Sequence, residues 1–281
     1  MAEEEGRRGI PSLLKPPSPP ETENGSLQEH IASDITQLVG WTPLIELKRI
    51  TKKDEVNIRI LGKLESYQPL CSVKDRSAVM AGTVLFYLGA EVVLTDPTLG
   101  FQGQLDKLEQ LKKEMPNVHV LDQFAAAANP EAHFTWTVDT AGKVDIFVAG
   151  SGTGGTISGV GKYLKMKNPS VKIICVEPAG SPVISGGRPS RHRIQGIGPG
   201  FVPKNLDLSL IDEIITVAAE DAMANARRLA REEGLIVGLS SGPNLAACLK
   251  VASKEENKGK MIATMFPSGG ERYMNSTSLQ L

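Results

Sequence analysis

The sequence predicts an α/β protein with a mostly parallel sheet, on three observations. Apolar runs of strand length, VNIRILGKLE, EVVLTDP, NVHVL, KVDIFVAG, VKIICVEP, EIITV and MIATMF, recur along the chain. Between them QLDKLEQLKKEM, ISGVGKYLKMK, AEDAMANARRLAREEG and PNLAACLKVASKEE carry apolar residues at helical spacing, several behind Ser, Thr or Asp in cap position. Such alternation is the βαβ pattern, whose crossovers make neighbouring strands parallel and cover them with helices. Finally, 281 residues with 41% hydrophobic content suffice for one large core or two modest ones.

In chain order, residues 1–26, MAEEEGRRGIPSLLKPPSPPETENGS, are rich in Pro, Glu and Ser. That composition buries too little to fold, and it is unlike an Arg-rich, acid-poor transit peptide, so a disordered tail on a cytoplasmic protein is expected. VNIRILGKLE opens the strands. SVKDRSAVMAGTVLFYLGA then reads as one helix running directly into EVVLTDP, with Gly82 the lone breaker between Val79 and Tyr87. From KVDIFVAG onward, strand and helix alternate as far as MIATMF, and no internal repeat is present.

Charge and cysteine content exclude several classes. Basic and acidic side chains number 31 and 32 with no basic block, so the footprint of a nucleic-acid binder is absent. Cys71, Cys175 and Cys248 are widely spaced and odd in number, which fits reduced intracellular thiols and neither a disulfide framework nor a paired-ligand zinc site. The longest apolar stretches have strand length, so no membrane span is expected. Small molecules are the expected partners.

The sharpest motif is the loop from Gly150 to Thr156, GSGTGGT, between KVDIFVAG and the helix ISGVGKYL. Glycines there let N–H groups turn towards an anion at a helix N-terminus, where unpaired donors and the dipole favour phosphate. It lacks the P-loop lysine and the complete GxGxxG of a dinucleotide site, although Glu177 imitates the acidic partner. A phosphate cradle is the reading; a ligand-free βα turn is the alternative. Lys74 in SVKDR stands where a helix begins, which favours the neutral amine a Schiff base needs, though such a lysine is usually a solvated charge. In GLSSG, Ser240 or Ser241 either caps the following helix or meets a ligand. His119 and His133 lack metal-ligand spacing, and Asp207, Asp212 and Glu213 form no evident acid/base pair, so these five read as structural or solvated.

SVKDR, GSGTGGTISGVGKYL, VEP, HRIQGIGPGF, EGLIVGLSSG and FPSGGERY stand in the order found in O-acetylserine sulfhydrylase, also called O-acetylserine (thiol) lyase or cysteine synthase. The chain resembles that family, and its plant cytosolic members above all, from Ile31 to about Tyr273. The resemblance implies the fold of type II pyridoxal-phosphate (PLP) enzymes: two three-layer αβα domains with mostly parallel sheets. It places a smaller N-terminal domain at 27–128 and a larger PLP-binding domain at 129–281. It implies that Lys74 carries PLP covalently and moves the substrate α-proton, and that Gly152, Thr153, Gly154, Gly155 and Thr156 hold its phosphate. By the same resemblance Ser240 faces the pyridine nitrogen, Gln123 of LDQF helps receive substrate carboxylate, and Gly196 borders the substrate's amino end. The reaction implied is β-replacement of acetate in O-acetylserine by sulfide to give cysteine. A homodimer and docking of serine acetyltransferase are implied as well. β-Cyanoalanine synthesis and a catalytically weak PLP-binding or docking module remain alternatives.

The chain departs from the pattern in one large respect. Family members carry two further strands, a helix and a T-S-G-N-T-G loop before the strand matching EVVLTDP, a shortfall here of roughly 60 residues that would truncate the smaller domain's core. That loop would supply an asparagine to the PLP 3′-oxygen and donors to the substrate carboxylate. A shorter gap follows His133, Trp41 replaces the Asn of G-N-T-P-L, and the sequence reaches NSTSLQL soon after ERY. Such in-frame losses resemble altered splicing or a mis-predicted gene. Impaired activity is expected.

Overall fold

The computed structural model describes residues 38–273 apart from 41, 78–88, 90, 92, 116 and 138–142. The tail, Trp41, the helix expected after Ser77 and the NSTSLQL end lie outside the described residues. Among the described residues six strands form one sheet: β1 (Leu44–Glu46), β2 (Arg59–Leu64), β3 (Ile146–Gly150), β4 (Lys172–Pro178), β5 (Glu213–Val217) and β6 (Met261–Phe266). Their order is β1-β2-β6-β3-β4-β5, with β1 antiparallel to β2 and the other pairs parallel. The α/β class with a mostly parallel sheet is therefore as the sequence predicts.

Among the described residues six α-helices accompany the sheet: α1 (Lys48–Lys53), α2 (Gly100–Glu114), α3 (Ala128–Trp136), α4 (Gly155–Lys167), α5 (Ala219–Glu233) and α6 (Ser241–Ala252). Successive residues of a strand face opposite ways, so each central strand feeds two cores. Ile146, Val148, Ile174 and Val176 join Leu245, Cys248 and Val251 of α6 on one face. Phe147, Ala149, Ile173 and Cys175 join Ile157, Val160 and Leu164 of α4 on the other. These runs are apolar without alternation because both faces are covered. Each fully buried Ile, Val or Leu contributes about 1.5–3 kcal/mol over its exposed state. Helix α5 stops at Gly234, whose φ of 75° suits a left-handed C-terminal turn in which Leu235 N–H donates to Leu229 O at 2.9 Å.

Two expected strands are absent among the described residues. In EVVLTDP the described residues are irregular up to a 3₁₀ turn at Pro97–Leu99, and residues 117–121 of NVHVL are turn and irregular chain. Val93, Leu94, Val120 and Leu121 are exposed, Leu94 by 88% and Leu121 by 86%. A strand needs a neighbour to take its ladder hydrogen bonds, and among the described residues none pairs with either segment. Conversely, β1, α1 and α3 were not expected; β1 has three residues and α1 buries Ile50 alone, too little for periodicity to register.

The chain leaves β3 towards α4 on one face and enters β6 from α6 on the other. A switch of this kind opens a crevice beyond the carboxyl ends of the two strands, where α/β proteins place their ligands.

Candidate active site

The glycine loop sits at that switch. Gly154, with φ 83°, occupies the N-cap of α4 without a side-chain capping bond. A Cβ at Gly152 would stand 2.5 Å from the Gly196 carbonyl oxygen, and one at Gly155 would collide with the Asn129 carboxamide. Glycine is thus required here by close packing as well as by φ. Among the described residues, the amides of Gly152, Thr153 and Gly154 meet no protein acceptor. They stand beside the start of α4 with no protein group to take their hydrogens, an arrangement that suits an anion. Glu177 is unavailable for a ribose, since its buried carboxylate accepts from the amides of Ile184 and Ser185 at 2.8 and 3.0 Å.

Asn129, buried at the start of α3, braces this loop. Its Nδ2 donates to Gln123 O at 2.8 Å and to Thr153 Oγ1 at 2.9 Å. Asn205 Nδ2 also donates to Gln123 O, at 2.9 Å, so the Gln123 turn is pinned against the loop through its main chain. Thr156 Oγ1 lies 3.1 Å from His133 Nε2, and His133 Nδ1 lies 2.9 Å from Thr137 Oγ1.

Lys74 is exposed in the 3₁₀ turn Val73–Ser77. The turn at 267–269, directly after β6, holds this segment: Val73 N–H donates to Pro267 O at 2.8 Å and Gly269 N–H to Cys71 O at 3.0 Å. The same turn holds the serine loop, because Gly238 N–H donates to Ser268 O at 2.8 Å and Val237 bridges Gly269. Val73–Ser77 also packs against α3, which packs on α4. Ser240 is 3% exposed, and although it occupies the N-cap of α6 its side chain makes no capping bond. Capping therefore does not account for it. Its Cβ lies 3.4 Å from the position a Cβ on Gly196 would take, and Gly196 has φ 95°.

The structure thus gathers the Lys74 turn, the glycine loop, Gly196, Ser240 and the Gln123 backbone at one end of the sheet. Sequence reasoning missed Asn129, the His133 contact with Thr156 and the 267–269 turn; the FPSGG run after a strand was the available sign of the turn. The acids behave as expected. Asp207 accepts from Ser209 N–H, Asp212 from Lys165 and the Ile173 amide, and Glu213 pairs with Lys172 and Lys254. Burial pushes the Cys175 thiol up to about 12, with Glu177 adding to the effect, and burial pushes Cys248 equally to about 12, so neither serves as a nucleophile. Among the described residues no group is arranged to hold a metal ion, and no helix is long and apolar enough to cross a membrane.

Residues 83–268 match the family described as pyridoxal-phosphate dependent enzyme. Lys74 precedes that stretch. Cysteine synthase 3 of Caenorhabditis elegans is 39% identical over 306 aligned residues, covering 89% of this chain and 90% of its own. Cysteine synthase A of Escherichia coli K12 is 36% identical, covering 88% of this chain and 95% of its own. Among solved structures, cysteine synthase of Entamoeba histolytica superposes with a TM-score of 0.84 at 32% identity, covering 93% of this chain and 95% of that one. The family match over residues 83–268 and the 39% and 36% identity to these relatives over most of the chain establish that it belongs to the family of pyridoxal-phosphate dependent enzymes, among the cysteine synthases.

Proposed function

We propose that the protein is an O-acetylserine sulfhydrylase, replacing the acetate of O-acetylserine by sulfide to form cysteine, with PLP as cofactor. The observation that carries this reading is the 267–269 turn, which binds the lysine and serine segments to one point beside the glycine loop. The residues fit the cofactor. Unpartnered amides of 152–154 and the Thr153 hydroxyl would hold its phosphate, and Ser240 would meet its ring nitrogen. When bound, PLP supplies a sink for the electrons left on removing a proton from the substrate α-carbon. Lys74 holds the cofactor and moves that proton through its amine. Ser240 would present a neutral hydroxyl to the ring nitrogen, a milder setting than an acidic partner and one that would suit elimination. Gln123 and Gly196 receive the carboxylate and amino ends of the substrate. We place the protein in the cytoplasm as a homodimer able to dock serine acetyltransferase, on the family resemblance.

The chain also lacks a substrate-gripping segment, so cofactor binding outlives catalysis. Two observations support this second element. The alignment to the C. elegans relative runs over 306 residues, more than the 281 present here. The described residues of the strands expected on either side of α2 are irregular with exposed apolar side chains. Protein incubated with PLP, reduced with borohydride and mapped by peptide analysis should carry the pyridoxyl group on Lys74. Label on Lys63 or Lys162 would refute the assignment; Lys63 is 3% exposed with its amine on Thr42 O at 2.8 Å.

A further inference from the structure

The hydrogen-bond inventory around Thr153 reaches beyond the cofactor assignment, on which it rests. A threonine hydroxyl has one hydrogen to give and two lone pairs. Both lone pairs of Thr153 Oγ1 are engaged: Asn129 Nδ2 donates at 2.9 Å and the Gly155 amide at 3.3 Å. The orientation of the Asn129 carboxamide is fixed independently, because the atom facing Gln123 O at 2.8 Å meets a carbonyl that can only accept. That atom is therefore the nitrogen, and its second hydrogen is the one that reaches Thr153. The carboxamide oxygen lies on the opposite side, against Gly155, where even a Cβ has no room, and Asn129 is 5% exposed. The arrangement has a single solution.

We infer that Asn129 is a positioning residue that sets the polarity of the anion cradle, locking the Thr153 hydroxyl as a donor. With its lone pairs taken, the hydroxyl can meet a further group only by giving its hydrogen, as the amides of Gly152, Thr153 and Gly154 also do. Phosphate oxygens, which only accept, match a cradle made wholly of donors. An aspartate at 129 would invert the lock. Its carboxylate would draw the Thr153 hydrogen towards itself and set a negative charge behind the cradle.

The test compares PLP with pyridoxal, which shares the ring and aldehyde but has no phosphate. Their dissociation constants are measured by equilibrium dialysis for the full chain and for Asn129→Asp, Asn129→Ala, Thr153→Val and the Asn129→Ala/Thr153→Val pair. Asn129→Asp should weaken PLP roughly 10- to 100-fold, the range of charge-assisted hydrogen bonds, and leave pyridoxal within about twofold. The double variant should bind PLP no more weakly than Thr153→Val alone, since Asn129 acts through that hydroxyl. Equal weakening of both ligands, or additive losses in the pair, would show a merely structural asparagine and overturn the inference. Wild-type chain that prefers PLP, with the preference intact in Asn129→Asp, overturns the inference alone. Wild-type chain with no preference overturns the phosphate cradle as well. As a measurement independent of any Asn129 variant, the Asn129 side-chain amide signals in nitrogen-proton correlation spectra should shift on titrating inorganic phosphate into wild-type chain and stay put in Thr153→Val; no shift in wild type sinks the lock.

Discussion

VKIICVEP and NVHVL are both short, apolar and rich in branched residues, yet the first becomes β4, buried almost throughout, while the second stays irregular with Leu121 86% exposed. What separates them is company. Strand β4 pairs along its length with β3 and β5, with helix-covered faces on both sides. Among the described residues neither NVHVL nor EVVLTDP has a strand to pair with. β-propensity thus describes a fit to a pleated, half-built surface and not an intrinsic habit of the backbone.

Three experiments break or sharpen that comparison. The largest effect is expected from supplying the company. Grafting the C. elegans relative's corresponding segment between Val84 and Glu91 should raise cysteine formation by a factor on the order of 10³, the worth of two or three charge-assisted bonds to substrate. It should also pair EVVLTDP and bury Leu94. Turnover unchanged by the graft would show that the segment is not what limits catalysis. Next comes truncation of one side chain in each region. Ile174→Ala removes a fully buried side chain between two layers and should cost about 2–5 kcal/mol in urea unfolding, whereas Leu94→Ala should lie within about 0.5 kcal/mol of wild type. Comparable costs would mean that Leu94 is buried in solution.

The smallest effect is one of pH. The buried thiols of Cys175 and Cys248 sit at about 12 against an ordinary 9.0, so folding favours their neutral form. That contribution is whole below the ordinary value and drains away as pH rises through the folded one. Stability measured by urea midpoint should decline across that alkaline window, and less steeply in Cys175→Ala/Cys248→Ala. An identical slope in the pair would assign the decline to other groups.

Much of this was legible beforehand. The strands from KVDIFVAG onward and the helices between them appear where periodicity puts them, because each is long, covered and consistent with its neighbours. The glycine loop was legible for the same reason: strand, glycines and helix are contiguous, so local chemistry decides. The Asn129 brace was not. It joins residues 24 apart in sequence, and only the packing of α3 on α4 brings Asn129 to Thr153. EVVLTDP and NVHVL misled for the opposite reason, since their letters encode pairing with strands that the described chain does not contain.

The turn at 267–269 has a consequence for amide hydrogen exchange. It continues β6, which lies between two parallel neighbours in the middle of the sheet, so its hydrogen bonds to Val73 and Gly238 can open only when that part of the sheet opens. Exchange at those amides should follow global unfolding, while the amides of 117–121 exchange through local fluctuation at far lower cost. The seat proposed for the cofactor is then set on the slowest-exchanging part of the protein, and the spacing between lysine and serine segments persists through the breathing of everything around it.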